Sequence, residues 1–323
     1  IEENDELLSF KHERFHSVYL DFDFWGQLLM ATIKGKVLAT TTYSLDVLAL
    51  KKSKFMKHYS CLLHSCCDIH AAQKYSFDYF DSVICFGEFQ KIPLKLLEKK
   101  RNMPVKEKPV LGLPFYDIYY KDFSQALSSN SSGDNRKYVL VAPSWGVNNF
   151  FNYIDFDIFE IIFEAGYDII YRPHPMTLKL EQDLYNSIVS KYANGYKDKE
   201  FIVDTEKSSH ASVTKSVCAV SAVSGFMYDY IIFAQKPLIY FDISKRDISK
   251  LDECDLQELE FWDTKMLKEV GYKVSTKEDI FNFFNNQLKN DNKNELRNTF
   301  RTDIVNLGDA SKHIAQYLIN KMK

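Results

Sequence analysis

Four short motifs in this chain place chemically capable side chains directly after apolar runs. They are His64-Ser65 after CLL, Pro143-Ser144-Trp145-Gly146 after YVLVA, Arg172-Pro173-His174-Pro175 after DIIY, and Val223-Ser224-Gly225 after CAVSA. In an open parallel sheet, ligands collect beyond the carboxyl ends of the strands, so residues in these places are the first to inspect. Ser221, Ser224 and Gly225 lead into Phe226–Phe233, an apolar stretch of helical length. Small hydroxyl residues and free backbone N–H groups at the mouth of a helix can converge on an anion, and phosphate is the obvious ligand. An ordinary Ser/Gly helix cap has the same composition, so the other motifs must decide.

In RPHP, two prolines fix the backbone on either side of His174 and stop the strand from continuing. The imidazole is thereby held at the strand end, where it can be cationic near neutral pH and bond a phosphate oxygen. Arg172 is either a helper or a structural residue. His64 lies in the other half of the chain, where a neutral imidazole facing a cleft could take a proton from an acceptor hydroxyl. A metal centre built from His58, Cys61, His64, Cys66, Cys67 and His70 lacks the second separated ligand pair that zinc sites use. The expectation is therefore no metal and no cofactor, although a divalent ion is compatible with the site. No Gly-x-Ser-x-Gly elbow, G-x-G-x-x-G fingerprint or Walker loop is present, which removes the main supports for hydrolase, dinucleotide and P-loop chemistry.

The elements that must position these residues alternate. VLATTT, CLLHS, SVICFG and PVLGLP are short apolar runs in the first half, preceded by FHSVYLDFDF at 15–24 as a predicted first strand. YVLVAP, DIIYRP, EFIVDT, SVCAVS and PLIYFD follow in the second. Amphipathic segments such as DFDIFEIIFEAG lie between several of them, which predicts parallel sheets wrapped by helices. The polar stretch SSNSSGDN at 128–135 separates the two series and reads as a linker. The predicted organisation is an α/β chain of two Rossmann-like domains facing a cleft. The first spans 1–127, truncated at its start because the chain begins at Ile1; the second spans 136–323 and ends in helices.

A net charge of −3 gives no global field for nucleic acid, so an anionic ligand must be held by local groups. No apolar run is long enough to cross a bilayer and the N-terminus lacks signal-peptide character, which predicts a cytoplasmic protein. The six cysteines, mostly in or beside apolar runs, are expected to be reduced buried thiols. Lys95 to Lys108 is rich in lysine and could touch anionic lipid or a polyanion, or be a solvated helix end.

VLVAPSWG at 139–146, YRPHP at 171–175, SGFMYDY at 224–230 and KPLIYFD at 236–242 resemble, in order and spacing, motifs of the CDP-glycerol glycerophosphotransferases, which build teichoic acids and capsule polymers in the bacterial cell envelope. The segment 61–87 is similar to the N-terminal half of capsule-type members. The resemblance implies a GT-B fold and a peripheral membrane transferase at the inner face of the cytoplasmic membrane. Such an enzyme moves glycerol phosphate from CDP-glycerol to a hydroxyl of a polyol-phosphate or glycan acceptor, which can be lipid-linked, and releases CMP. It implies that His174 and Ser224 contact the donor phosphates, that Asp229 is the acidic residue of the following helix, and that His64 is the base. Ser144, Trp145, Arg172, Ser221 and Gly225 complete the expected donor site. Gly225, Ala222 and Gly146 depart from the family pattern, which leaves another CDP-alditol or a nucleotide sugar open as donor beside CDP-glycerol. The competing readings are a GT-B glycosyltransferase, a nucleotide-sugar epimerase or hydrolase, and a non-catalytic nucleotide-binding partner.

Overall fold

The computed structural model describes residues 6–20, 24–48, 50–129, 136–222, 224–243 and 248–323. Among them are two parallel sheets. The first contains β1 (Gly35–Thr40), β2 (Met56–Leu62) and β3 (Ser82–Ile84) in the order β1-β2-β3. Residues 107–111 run beside β3, with Val83 N–H donating to Glu107 O and Cys85 N–H to Pro109 O, both at 2.9 Å.

The second sheet is built from β4 (Tyr138–Ala142), β5 (Asp168–Tyr171), β6 (Phe201–Val203), β7 (Ser216–Ala222), β8 (Leu238–Phe241) and β9 (Tyr272–Val274). Their order is β6-β5-β4-β7-β8-β9. Numbered within the sheet this is the doubly wound order, whose direction of winding reverses between β4 and β7. Because β4 is covered on both faces, all five of its residues are buried. Its alternate side chains serve different cores. Tyr138, Leu140 and Ala142 join a large cluster that runs on into the first half of the chain through Tyr59, Phe86 and Trp262. Val139 and Val141 pack against Phe159, Ile162 and Tyr171 on the opposite face.

The predicted strand at 15–24 does not form over its described residues. Val18 and Tyr19 are exposed and no neighbouring strand pairs with 16–20; a run with β character but no half-buried surface to fit has nothing to hold it extended. The linker reading is only partly within view: Ser128 and Ser129 end the helix Phe115–Ser129, and 130–135 lie outside the described residues. The strand β9 was absent from the sequence reading because its three residues are too few to carry a period.

The C-terminal helix Ala310–Lys321 returns to the first half. Asp117 accepts Ala310 N–H at 2.9 Å and Ser311 N–H at 2.7 Å, satisfying two donors at its start, and Ala310 and Ile314 pack on Ile84 of β3. The basic stretch 95–108 is largely internal. Lys106 and Lys108 are buried against Glu98, Lys100 pairs with Glu258 at 2.6 Å, and Arg101 reaches Asp78, Asp252 and Asp255 at 2.7–2.8 Å. It is therefore not a polyanion-binding patch; only Lys95 and Lys99 remain exposed and unpaired among the described residues. Arg101 ties segments about 150 residues apart, and removing it would leave the fully buried Asp252 without its cation. Arg101→Ala should cost about 3–5 kcal/mol, the range for breaking one side of a buried pair. Urea unfolding followed by circular dichroism measures this, and a midpoint equal to the parent's would show that the cluster does not hold these segments together.

Candidate functional site

Beyond the carboxyl ends of β4 and β7 the chain must turn away on opposite sides of the sheet, and the crevice left there is where the loop 143–149 and Ser224 lie. Ser221 pins the two strands together at this point. Its hydroxyl is fully enclosed and donates to Ala142 O at 2.6 Å. Expected at the donor, Ser221 is instead a cross-strand tie, because the register sets it opposite Ala142, whose carbonyl its hydroxyl meets.

Ser224 has an extended backbone and occupies the N-cap position of the helix Gly225–Asp229, which continues as a wider turn over Tyr230–Ala234. Its hydroxyl makes no capping bond to that helix, and the space above Gly225 is open, with nothing within 4 Å of where a Cβ would stand. Both residues line a cavity of about 500 Å³ with Asn148, Lys268 and Lys273 and the carboxylates Asp242, Glu253 and Asp263; Ser144, Trp145 and His174 are not among its walls. Lys273 pairs with Asp242 at 2.7 Å, whereas Lys268 pairs with no carboxylate among the described residues. Asn148 Oδ1 is buried and has no hydrogen-bond partner there.

His174 caps the helix Pro175–Leu180 with its own ring. Nδ1 accepts Met176 N–H at 3.1 Å, and since an amide can only donate, the ring proton must sit on Nε2. Burial holds His174 below the ordinary histidine value, with Glu181 acting in the opposite sense. The sequence reading allowed a cation here; the geometry makes a neutral ring presenting one N–H. Trp145 stacks on this ring with centroids 5.9 Å apart and planes 27° from parallel. Ser144 is buried.

Glu181, which sequence reasoning missed, links the two loops. It accepts Gly146 N–H at 3.1 Å, Asn149 Nδ2–H at 3.4 Å and the Thr177 hydroxyl at 2.7 Å. Gly146 has φ +60, a left-handed conformation that favours glycine and lets the loop fold back onto the carboxylate. The only sequence signal was Thr177 and Glu181 at i, i+4 on the helical run after RPHP.

Two other expected donor residues are turned elsewhere. The Arg172 guanidinium bonds Asp204 at 2.6 Å and Glu206 O at 2.7 Å, holding the loop after β6. Asp229 accepts the Tyr116 hydroxyl at 2.7 Å, and burial pushes its carboxyl up to about 7. It joins the Ser224 helix to the helix Phe115–Ser129.

His64 follows β2 and is exposed. Its Nδ1 lies 3.1 Å from Thr41 O, and because a carbonyl can only accept, Nδ1 carries a proton; in the neutral ring the lone pair is therefore on Nε2. The ring stacks on Tyr43 at 4.6 Å. His64 lines a second cavity, of about 490 Å³. The two cavities share Cys67 and Ala71 as walls. Between them Asp68, His70 and Asp263 form a buried cluster whose polar atoms lie within 4.8 Å of one another. Asp68 Oδ2 accepts Trp262 N–H at 3.2 Å while Asp263 Oδ2 accepts Asp68 N–H at 2.9 Å, so each carboxylate bonds backbone at the other's helix start. Burial and the neighbouring Asp263 push the Asp68 carboxyl well above the usual range. All four carboxylate oxygens accept backbone N–H groups, which makes the cluster a lock between segments.

No protein-family model matches this sequence, and no curated protein matches it. Solved structures match in fold. The wall teichoic acid polymerase TagF superposes with a TM-score of 0.55 at 18% identity, covering 85% of this chain and 70% of that one. A TagF variant soaked with CDPG gives 0.50 at 13% identity over 89% and 72%. The UDP-GlcNAc 2-epimerase of Methanocaldococcus jannaschii, solved with UDP-GlcNAc and UDP, gives 0.52 at 14% over 82% and 69%. The chain has the GT-B fold. These three structures are of enzymes, two of a polymerase and one of an epimerase.

The role of Glu181 has a direct readout. In Glu181→Gln the shape is kept and the charge that favours an imidazolium is lost, so the His174 midpoint should fall further below that of an ordinary histidine. Heteronuclear NMR of the imidazole nitrogens follows it; an unchanged midpoint would detach Glu181 from the histidine. Because the folded value is depressed, the stability His174 contributes is present above the unfolded histidine value and lost as pH falls through the folded one.

Proposed function

We propose that this chain is a transferase that moves glycerol phosphate, or a related alditol phosphate, from a CDP-linked donor to an acceptor hydroxyl and releases CMP. The observation that carries the reading is the opposed tautomers of the two histidines. His64 offers a lone pair on Nε2 and His174 offers an N–H on Nε2, one group able to take a proton and one able to donate a hydrogen bond. A serine hydroxyl not used in capping, an unpaired lysine and open space over Gly225 line the cavity between the loops, which suits a phosphate. The fold likeness to TagF supports the same reading.

In this scheme the acceptor oxygen forms its bond to the distal phosphorus of the donor as the bond from that phosphorus to the oxygen bridging to CMP breaks. His64 Nε2 takes the hydroxyl proton, and CMP departs with the bonding electron pair. His174 Nε2–H, the Ser224 hydroxyl and Lys268 offset the charge gathering on the phosphoryl and leaving oxygens. Trp145 and Glu181 keep His174 in place, and the buried acceptor Asn148 Oδ1 is available to an amino or hydroxyl group of the nucleotide.

The two histidines should fail differently. His64→Ala should retain donor affinity and lose on the order of 10²–10⁴ in transfer rate, the usual worth of a general base. His174→Ala should lose both rate and donor affinity. Isothermal titration with CMP and CDP-glycerol, together with CMP release in the presence and absence of acceptor, measures these quantities. Wild-type turnover in a folded His64→Ala protein removes the base from the scheme, and nucleotide product formed without an acceptor favours epimerase or hydrolase chemistry.

A separate expectation concerns the donor alone. Ser224→Ala should weaken CMP by about 1.5 kcal/mol, as for a hydrogen bond to a charged group. Calorimetry showing unchanged CMP affinity would move the phosphate site elsewhere.

A further inference from the structure

His64 and Ser224 line different cavities, yet in the proposed reaction both serve one phosphorus, so acceptor and donor must meet where the cavities meet. Segment 67–71 lies there. Its middle residues Asp68, Ile69 and His70 are buried, whereas Cys67 and Ala71 at its ends are half-exposed and line both cavities. The common floor is thus a thiol and a methyl group.

The backbone under this floor is held on both sides. Asp68 N–H donates to Asp263 Oδ2 at 2.9 Å, and the Asp68 carboxylate accepts Trp262 N–H at 3.2 Å. The His70 ring lies against Phe261 with centroids 3.8 Å apart. Just beyond Ala71, Ala72 O accepts Asp252 N–H at 3.0 Å, and Lys74 N–H donates to Lys250 O at 2.8 Å. A segment tied to the helix Trp262–Val270 on one side and to 250–252 on the other cannot withdraw to make room. Atoms added at position 67 or 71 therefore project into the cavities. In-line attack needs the reacting atoms about 3–3.5 Å apart, and a displacement of about 1 Å costs about 10²-fold in rate. Donor binding depends less on the floor, because Ser224, Asn148 and Lys268 stand on other walls.

We propose that Cys67 and Ala71 form the floor over which acceptor oxygen and donor phosphorus are brought together, and that their small side chains are positioning residues that set the clearance for this approach. The inference rests on the reading of Ser224 as the donor-phosphate group and His64 as the base. Over this floor the acceptor oxygen bonds to phosphorus as the bond from phosphorus to the CMP oxygen breaks, and the proton passes to His64 Nε2.

The test adds bulk to the floor in the full chain. Of the six cysteines only Cys67 and Cys254 are half-exposed, so Cys254→Ser leaves Cys67 as the accessible thiol. In this background methyl methanethiosulfonate converts Cys67 to a methyl disulfide and releases methanesulfinate. Transfer from CDP-glycerol should fall about 10²-fold and return when dithiothreitol restores the thiol, a recovery that damage to the fold would not give. CDP-glycerol without acceptor should slow the modification about tenfold at ten times its dissociation constant, where about one chain in eleven is free. Ala71→Leu should lose about 10²-fold in turnover while donor affinity changes less than about threefold, and the nearly isosteric Ala71→Ser should recover the rate. If Ala71→Leu does not fold, the thiol measurements decide. Parental turnover in the modified protein or in folded Ala71→Leu overturns the proposal, as does modification unaffected by a donor that calorimetry shows to be bound. A parent chain that binds no donor overturns the underlying reading, and the proposal with it.

Discussion

The reciprocal bonding of Asp68 and Asp263 is the contact on which the arrangement of the two cavities depends. Asp68 closes the loop that carries His64, and Asp263 opens the helix Trp262–Val270 that walls the Ser224 cavity. Each carboxylate takes a backbone N–H from the other's segment, so neither loop can shift without leaving donors and charge buried and unmatched. Capping bonds of this kind are worth about 1 kcal/mol each, but their loss here would also expose the mutual repulsion that already raises the Asp68 carboxyl. The stack of His70 on Phe261, 3.8 Å apart, fills the remaining space beside the lock.

A second layer of constraint sets protons. The tautomer of each neutral ring is decided by one backbone partner, a carbonyl for His64 and an amide for His174. The difference in partner is enough to give the two imidazoles the opposite tasks of the proposed scheme, since the backbone group's fixed role dictates which ring nitrogen of a neutral imidazole carries hydrogen. Glu181 acts one step further out, holding Gly146 and Asn149 so that Trp145 can cover His174. Residues around a reacting group that merely fix orientation have large effects because small displacements degrade alignment.

The motifs divide their members between chemistry and scaffold. In RPHP, His174 caps the helix Pro175–Leu180 and stacks on Trp145, while Arg172 anchors the loop after β6. In the serine-rich turn, Ser224 is free of the helix while Ser221 stitches β7 to β4. In KPLIYFD, Lys236 donates to the carbonyls of Val213, Thr214 and Ser216 where the helix His210–Lys215 ends, and burial draws its ammonium down to about 8. A lysine surrounded by three carbonyl oxygens is a C-terminal cap, and its presence in a motif needs no ligand to explain it.

Apolar runs of strand length separated by amphipathic segments were enough to determine from sequence a parallel α/β architecture, since burial on both faces writes itself into consecutive residues such as YVLVA. The same pattern located the loops beyond β2, β4, β5 and β7, because a strand's carboxyl end is marked by Pro, Gly or Ser. It misjudged 15–24, where β character was present but a pairing strand was not. What each loop residue does was not legible, because direction and partner are decided by contacts between residues far apart in the chain. Ser221 and Ser224 differ by three positions, yet one hydroxyl meets a strand 79 residues earlier and the other meets none. Glu181, the Asp68–Asp263 lock and the two cavities that share Cys67 and Ala71 likewise exist only once separate segments are packed together. Local sequence sets which backbone conformation a segment prefers; the partners that fix a proton, satisfy a buried carboxylate or leave a hydroxyl free are supplied by tertiary structure.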